Sequence, residues 1–575
     1  MAADFRKIRS HADRVCSALW ADRARHEKKW REIAAYFFPT ALAGLADGVS
    51  DYRGGHAEVD DVPPEAQASR YPQEQLRKGA AGFAVNLTSP AREWFRFAAF
   101  GGAAPTSDDR WAADARALEI LSAAVRRVCD SCGIYTALNK LYEHLLAFGT
   151  GCLFLSPRRD AAGARLVDAT LLRFGTYALG VGEDGRVDKM CRKFRWTVDQ
   201  IAAGFGTDAL PPRLLALWQR GRGGDDSAVI THLCEPHASD DIAAASGLDQ
   251  AAGFRWRSIY FADFAQDESA VLRVDGHRWR PILAPRMEFE SGDVWGRGRG
   301  IDALPAAKLL CALREDDVNV SGNHADPALF VSEDLQGSGV SLDRGAINYA
   351  NLRDGAPSAV AVPAPGNLTY NAQIADEIRS ELSETLLVSR FATIDALKMQ
   401  AGVKTATEID QLVRENLGLL GPIVSTLDAE LLDPLLHTLA GCVLDWADQV
   451  GIDTAAVRGI GDIKIEYVSS IHRAQRADEV SSILNASAFV AQLAGLKADV
   501  IDTVDIDGLA RAYFNAIGLP SQLARLPKEI EALRAARQVQ QEQLAQAQQM
   551  AALASAAKDA GAGAAGFARA EQGGE

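Results

Sequence analysis

The 575-residue sequence predicts an α+β fold, mainly helical and divided among several packed units. Three observations lead there. Apolar residues recur at helical spacing over long stretches toward both ends of the chain. Residues 152–290 instead carry short runs rich in β-branched and aromatic residues, punctuated by Gly, Pro and Asp. Between 301 and 388 a helix, a compact strand-bearing insertion and a second helix follow one another. A chain of this length is expected to fold around three or four cores rather than one.

In chain order, residues 4–38 read as one amphipathic helix. Phe5, Ile8, Ala12, Val15 and Leu19 make a stripe, Trp30, Ile33 and Phe37 continue it, and Pro39 stops it. Residues 40–70, rich in Gly, Asp, Pro and Ala, read as a long loop. A helix begins near Tyr71 and runs into Leu87, Thr88, Ser89 and Pro90; helical periodicity returns over 111–147 and ends at Gly149 and Gly151. The runs GCLFLSP, RVDKMCRKFRWT and FRWRSIYFAD predict antiparallel strands, and the Ala/Asp/Ser-rich stretch 236–253 a loop.

Helix resumes at 301–322. The following 324–370 stretch holds strand-like pieces (ALFVSED, AVAVPAP), and Asn371 reads as the N-cap of a helix bearing Ile374, Ile378, Leu382 and Leu386. After a short loop at 390–404, a long apolar helical region extends to about 448. Thr405 and Glu408 have the spacing of a capping box at its start, and Pro422 and Pro434 are expected to kink or divide it. Residues 476–525 are helical, and an Ala/Gln-rich helical tail follows from Pro527, with a Gly/Ala end expected to be disordered. The tail's apolar positions (Ile530, Leu533, Leu544, Met550, Leu553) are too sparse for a heptad seam.

Composition narrows the function. No apolar run is long enough to span a bilayer, and the charged N-terminus MAADFRKIRSHADRVC is unlike a signal peptide, so membrane insertion is not expected. A net charge of −15 argues against broad, tight DNA binding. An acidic wall would offer a passing duplex few phosphate contacts to break. Eight irregularly spaced cysteines make no disulfide framework and fit a reducing compartment. Cys129 and Cys132 form a CxxC without a second pair, and His232, Cys234 and His237 are read as chance spacing rather than metal ligands.

Catalytic signatures are missing. No GxxxxGK[ST] phosphate loop occurs; Gly296, Gly298 and Gly300 precede a helix and read as flexible glycines rather than an anion site. Asp502, Asp505, Asp507 and Gly508 fail the calcium-loop pattern because position 514 is Phe, and neither GxSxG nor HExxH is present. The chain is therefore expected to be no enzyme and to need no cofactor or metal. The segment 389–404 is a small basic exception in an acidic chain, with Arg390, Lys398 and Lys404 against Asp395 alone.

Several blocks occur in a specific order over roughly 30–480: LTSPAREWFRF, FGTG, RKFRWTVDQIAAGFGTDALP, WGRGRGIDALPAAK, and TATEI followed by LGLLGPIVSTLDAELLDPLL. Together they resemble the head-to-tail connector, or portal, family of short-tailed bacteriophages. The resemblance implies a portal fold assembled as a dodecameric ring at one capsid vertex, around a channel for double-stranded DNA packaging and ejection. It maps residues 1–300 to the wing, 301–323 and 371–389 to stem helices, and 324–370 to the clip between them. Residues 390–404 become a channel loop, 405–475 a long wing helix with a return strand, 476–526 the crown, and 527–575 a tail or barrel. The implied partners are copies of the chain itself, DNA, the large terminase, a tail adaptor, and capsid and scaffold proteins. The implied place is the virion, after assembly in the bacterial cytoplasm.

On this mapping Arg390, Lys398 and Lys404 touch phosphates as DNA passes. Leu87, Thr88, Ser89, Pro90, Trp94 and Phe95, with Phe97, anchor a turn in the wing core, and Thr405 with Glu408 fixes where the long helix begins. A terminase-like packaging enzyme lacks its phosphate loop here. A tail adaptor or scaffold without a channel would be smaller and would leave the helix–insertion–helix order unexplained.

Overall fold

The computed structural model describes residues 5–51, 62–99, 108–159, 165–237, 253–264, 270–332, 341, 343–350, 359–361, 368–392, 420–446, 457, 463–469, 471–472, 477–496, 504–517 and 527–571. The chain forms two compact units. The larger comprises Met1–Arg96, Leu121–Ile452 and Tyr467–Gln475; the smaller comprises Phe97–Ile120, Asp453–Glu466 and Arg476–Glu575.

A six-stranded sheet organises the larger unit, in the order Ser50–Asp51, Val187–Thr197, Ser227–Pro236, Trp256–Ala262, Val271–His277, with Tyr177–Val181 also paired to Val187–Thr197. Its pairs are antiparallel except the short parallel one made by Ser50 and Asp51. Alternation along the strands supplies two cores. Cys191, Leu233, Ile259, Phe261 and Val274 meet Ala12 and Cys16 of helix Phe5–Ala24. Phe194, Ile230, Tyr260 and Leu272 meet Val198, Ile201 and Leu214 of the short helices Val198–Phe205 and Pro212–Gln219. The first of these helices opens with a capping box between Thr197 and Gln200.

Strand Ser227–Pro236 lies at the centre of the sheet and holds the HLCEPH segment. Burial on both faces erases its alternation, which is why no strand could be read there from pattern. His232 is enclosed: Arg192 donates to its Nδ1 at 3.0 Å, its Nε2 meets Ser258 Oγ at 3.0 Å, and Ser258 meets His277 Nε2 at 3.0 Å. Among the described residues no cluster of His, Cys, Asp and Glu could hold a metal.

The helical expectation for 4–38 is corrected: the helix breaks into Phe5–Ala24 and Glu27–Phe37. At the break Arg23 turns inward, donating to the Gly175 carbonyl at 2.6 Å and pairing with Glu27 at 2.8 Å. Phe5, placed on the apolar stripe, is 38% exposed. The long loop expected over 40–70 contains the helical segments Leu42–Asp47 and Pro64–Gln67, because Leu45 and Ala66 find buried seats. Helices Tyr71–Leu87, Asp108–Ser131 and Ile134–Phe148 follow, the last two separated at Gly133.

Helix Arg299–Ala325 packs against helix Leu368–Thr385, with a three-stranded sheet between them in sequence. In that sheet Leu329–Ser332 is central, parallel to Ile347–Ala350 and antiparallel to Ala359–Ala361. Asn371 does not cap the second helix, which begins at Leu368. Its amide instead donates to Asp317 Oδ1 at 3.0 Å, bridging the two helices, and that partner replaces the cap. The expectation that the loop starts at 390 is corrected at that point: residues 388–392 are helical and Phe391 is buried.

Residues 420–427 are helical and widen into a π-helical turn, Asp428–Leu432, before helix Asp433–Asp445. Pro434, near the start of that helix, has no N–H to give residue 430 and crowds its carbonyl, so the wider turn accommodates it.

In the smaller unit Asp505 caps helix Ile506–Ile517, accepting from Gly508 N at 2.9 Å, and Asp507 pairs bidentately with Arg534 at 2.7 and 2.8 Å. One carboxylate caps the helix and the other links it to the tail helix. Helix Ala477–Leu496 precedes them, and the tail is one helix, Pro527–Glu571. That corrects the expectation of a disordered Gly/Ala end: the alanines between the glycines sustain helix to Glu571.

Candidate functional site

Two glycine-bearing segments cross where helix Arg299–Ala325 begins. Helix Ile134–Phe148 ends at Gly149 in the left-handed region (φ +84°), and the chain then runs beside residues 286–298. Met287 N donates to Gly149 O at 2.8 Å, Gly296 N to Thr150 Oγ1 at 2.7 Å, and Arg297 N to Glu288 O at 2.6 Å. A Cβ on Gly149, Gly296, Gly298 or Gly300 would overlap backbone of the facing segment. The reading of these glycines as flexible is therefore corrected: they permit contact between two backbones. Two of the amides that an anion would need are already donating to Thr150 and Glu288.

Aromatic rings close the crossing. Trp295 lies edge-on to Trp30 (4.7 Å between centroids) and stacks with Tyr177 (6.0 Å), while Phe148 stacks on Phe174 at 3.8 Å. Arg286, 1% exposed, sits beneath, with its guanidinium over Phe289. It donates to the carbonyls of Asp293 (2.6 Å) and Gly185 (2.9 Å) and pairs with Glu430 of the π turn at 2.8 Å.

The acidic residues of that turn and its flank each hold a distant residue: Glu430 takes Arg286, and Asp428 and Asp433 share the segment 467–472. Asp428 Oδ2 meets His472 Nε2 at 2.8 Å, and His472 Nδ1 meets Ser469 Oγ at 2.7 Å. Tyr467 donates to Asp433 Oδ1 at 2.5 Å and its ring stacks on His472 at 4.8 Å. Burial, then the hydrogen bond to Asp433, hold the Tyr467 phenol well above its ordinary pKa. Ser, His and Asp in contact invite comparison with a hydrolase triad. Here Ser469 is 4% exposed and meets the imidazole of a residue three positions away, a turn contact with no approach for a substrate.

The Leu87–Phe97 block joins the same region. Leu87, Thr88, Trp94 and Phe95 are buried, while Ser89 and Pro90 form the turn between. Thr88 Oγ1 lies 3.2 Å from Tyr142 OH, Trp94 Nε1 donates to Tyr135 OH at 3.3 Å, and Val468 N donates to Trp94 O at 2.9 Å. Burial, relieved in part by Thr88, raises the Tyr142 phenol. The sequence singled out this block but not its partner Tyr142, nor Tyr467 and His472, which hold the acidic residues of the π turn and its flank. Their clue would have been polar residues inside otherwise apolar stretches.

Of the basic set, Arg390 lies on the helical turn 388–392 and pairs with Glu384 at 3.1 Å. Lys398 and Lys404 lie outside the described residues, as do Thr405 and Glu408. Helix Leu368–Thr385, from which Arg390 follows, carries Asp376, Glu377, Glu381 and Glu384 against Arg379 alone. Among the described residues no helix is long and apolar enough to cross a membrane.

Comparison with known proteins bears directly on these blocks. The family model for the bacteriophage head to tail connecting protein matches residues 9–524. A probable portal protein of Bordetella phage BPP-1 is 28% identical over 520 residues, covering 90% of this chain and 88% of that one. A portal protein of Salmonella phage epsilon15 is 25% identical over 521 residues, covering 89% and 88%. Among solved structures, a chain from the virion of a native gene transfer agent particle aligns at 13% identity and a TM-score of 0.30, covering 73% of this chain and 90% of that one, too low a score to carry an argument. Both phage relatives align over nearly their whole length, and the family model takes in every block from the first helix through Ile506–Ile517: this chain belongs to the family of bacteriophage head-to-tail connecting proteins.

Proposed function

We propose that the chain is a portal: copies of it form a ring at one capsid vertex, and double-stranded DNA passes through the ring during packaging and ejection. The observation that carries this is the helix–sheet–helix hairpin of residues 299–385, rooted in the glycine crossing and bearing an acidic second helix. An acidic wall suits a channel, since it offers DNA few contacts that would arrest it. On this reading Arg299–Ala325 and Leu368–Thr385 are the stem, the three-stranded sheet the clip, the six-stranded sheet the wing, and Ala477–Leu496 with Ile506–Ile517 the crown. Arg390, Lys398 and Lys404 then recur around the channel as a ring of cations. The ring is a dodecamer, and it meets the large terminase, the tail adaptor, scaffold and capsid proteins in the virion. It is assembled in the bacterial cytoplasm, and the role is structural, without catalysis.

Electron microscopy of the purified protein in negative stain tests this directly. Annular particles with a central hole are expected. A monodisperse monomer at micromolar concentration and moderate salt would overturn the ring.

A further inference from the structure

Helix Leu368–Thr385 ends on a strained residue. Leu386 N still reaches Leu382 O at 3.0 Å, but Leu387 N turns to Glu384 O at 3.0 Å and Leu387 takes φ +63°. Among the described residues it is the one non-glycine with positive φ. For a leucine this crowds Cβ against the next carbonyl, so surrounding structure must hold it. Helix then restarts, with Phe391 N donating to Leu387 O at 3.2 Å.

What holds it is one face of helix Tyr71–Leu87. A Cβ on Gly79 would overlap the Leu386 carbonyl oxygen, and one on Gly82 would overlap the Phe391 ring. Phe391, 3% exposed, lies edge-on to Phe83 at 5.0 Å, and Phe83 stacks on Tyr142, the partner of Thr88. Upstream, Tyr71 OH donates to Arg379 O at 3.3 Å. Arg390 lies between the two seated residues Leu387 and Phe391.

We propose that Gly79 and Gly82 form a seat that fixes the end of the stem and the turn that carries Arg390, making them positioning residues for Arg390. This rests on the reading of 390–404 as a DNA-facing segment. The seat needs glycine because it is an approach of backbone and ring to a helix axis, and any side chain at 82 displaces the Phe391 ring. Phe391 is the lever: its N–H donates to the Leu387 carbonyl at 3.2 Å, so displacing the ring disturbs the turn that carries the left-handed backbone.

The test is Gly82→Ala in the full-length protein. Hydrogen exchange by mass spectrometry should show the amides of 386–392 opening faster by about tenfold or more. Ring formation in negative stain should persist, while particles assembled with the variant lose filled heads. Adding Phe391→Leu should restore both protection and filling, a rescue that a general loss of stability would not show. Should Gly82→Ala fail to fold, Phe391→Ala empties the same seat from the other side and is held to the same two readouts. Unchanged exchange at 386–392 overturns the seat. Faster exchange with wild-type filling overturns the positioning role. Failure of the channel reading is scored apart, by the lysine variants discussed below, since exchange at 386–392 does not depend on DNA.

Discussion

Arg286 and Glu430 meet side by side, Nε to Oε2 at 3.0 Å and Nη2 to Oε1 at 2.8 Å, and the arginine is almost fully enclosed. The pair ties the segment before helix Arg299–Ala325 to the π turn 144 residues later. Glu430→Ala leaves a buried guanidinium uncompensated, which costs about 3–5 kcal/mol. The expected outcome is a clear drop in the urea midpoint, with Arg286→Met/Glu430→Met losing less than the two single changes added together. Simple additivity would show that the two side chains are not coupled.

Acid should loosen the six-stranded sheet before it reaches the carboxylates. Burial, then the charge of Arg273, lowers His277 to about 4, and burial, then Lys140, lowers His144 to about 3; burial, then Arg192, holds His232 well below its usual range. The folded chain keeps these rings neutral, whereas the unfolded chain protonates them near 6.5. Stability is therefore flat above that pH and falls below it, by about 1.4 kcal/mol per pH unit for each such histidine. Urea midpoints at pH 7 and pH 5 measure the slope, and His277→Gln should make it shallower, leaving the share of His144 and His232. A midpoint unchanged between those two pH values contradicts the assignment.

Gly298 isolates the cost of crowding from that of backbone strain. Its φ of −90° and ψ of 154° suit any residue, so Gly298→Ala pays only for overlap with Gly149 and Ala147. About 1–3 kcal/mol of destabilisation is expected from overpacking. Gly185→Ala is the complementary control, with positive φ and open space around it. Equal, negligible losses at 298 and 185 would mean that the two backbones separate without difficulty.

The basic segment should act through charge. Lys398→Ala/Lys404→Ala is expected to leave ring assembly and thermal stability near wild type while lowering the yield or retention of packaged DNA, most clearly at low salt, where the lost phosphate contacts are least screened. Each exposed contact is worth only about 0.2–1 kcal/mol, weak enough to permit passage. Glu384→Gln should act oppositely by removing one negative charge beside Arg390, tightening retention at low salt. Wild-type filling of both variants across salt concentrations would make the charge of this segment incidental.

Much of this fold was legible as pattern. The order helix, strand-bearing insertion, helix between 299 and 385 could be read from periodicity, and so could the strands with β-branched and aromatic runs. What escaped were features decided by distant partners. Asn371 resembles an N-cap until Asp317 across the hairpin claims its amide. Gly298 and Gly300 look mobile in a string of glycines, because their crowding comes from residues 147–149. His232 and Cys234 resemble ligands only while the neighbouring strands that bury them are unknown. Gly79 and Gly82 gave no signal at all, since a glycine in a helix announces the absence of a side chain and not what fills the space.

The π turn has one more consequence, concerning the phase of the helix that contains it. Upstream, Leu420, Ile423, Val424 and Leu427 lie buried at the intervals of a single α-helical stripe, which Leu431 prolongs. Downstream, the buried set is Leu432, Leu435, Leu436, Leu439 and Val443, displaced by one residue from where an unbroken α-helix would place it. The widened turn absorbs that extra residue, so two stripes written in different frames face the same interior. The sequence thus carries the equivalent of a one-residue insertion that the backbone silences locally. Deleting a single position between 428 and 432 would therefore let an unbroken α-helix carry both stripes on one face, whereas inserting one there, without a second widening, would rotate every leucine beyond it by about 100° away from the core, set by the 3.6-residue turn.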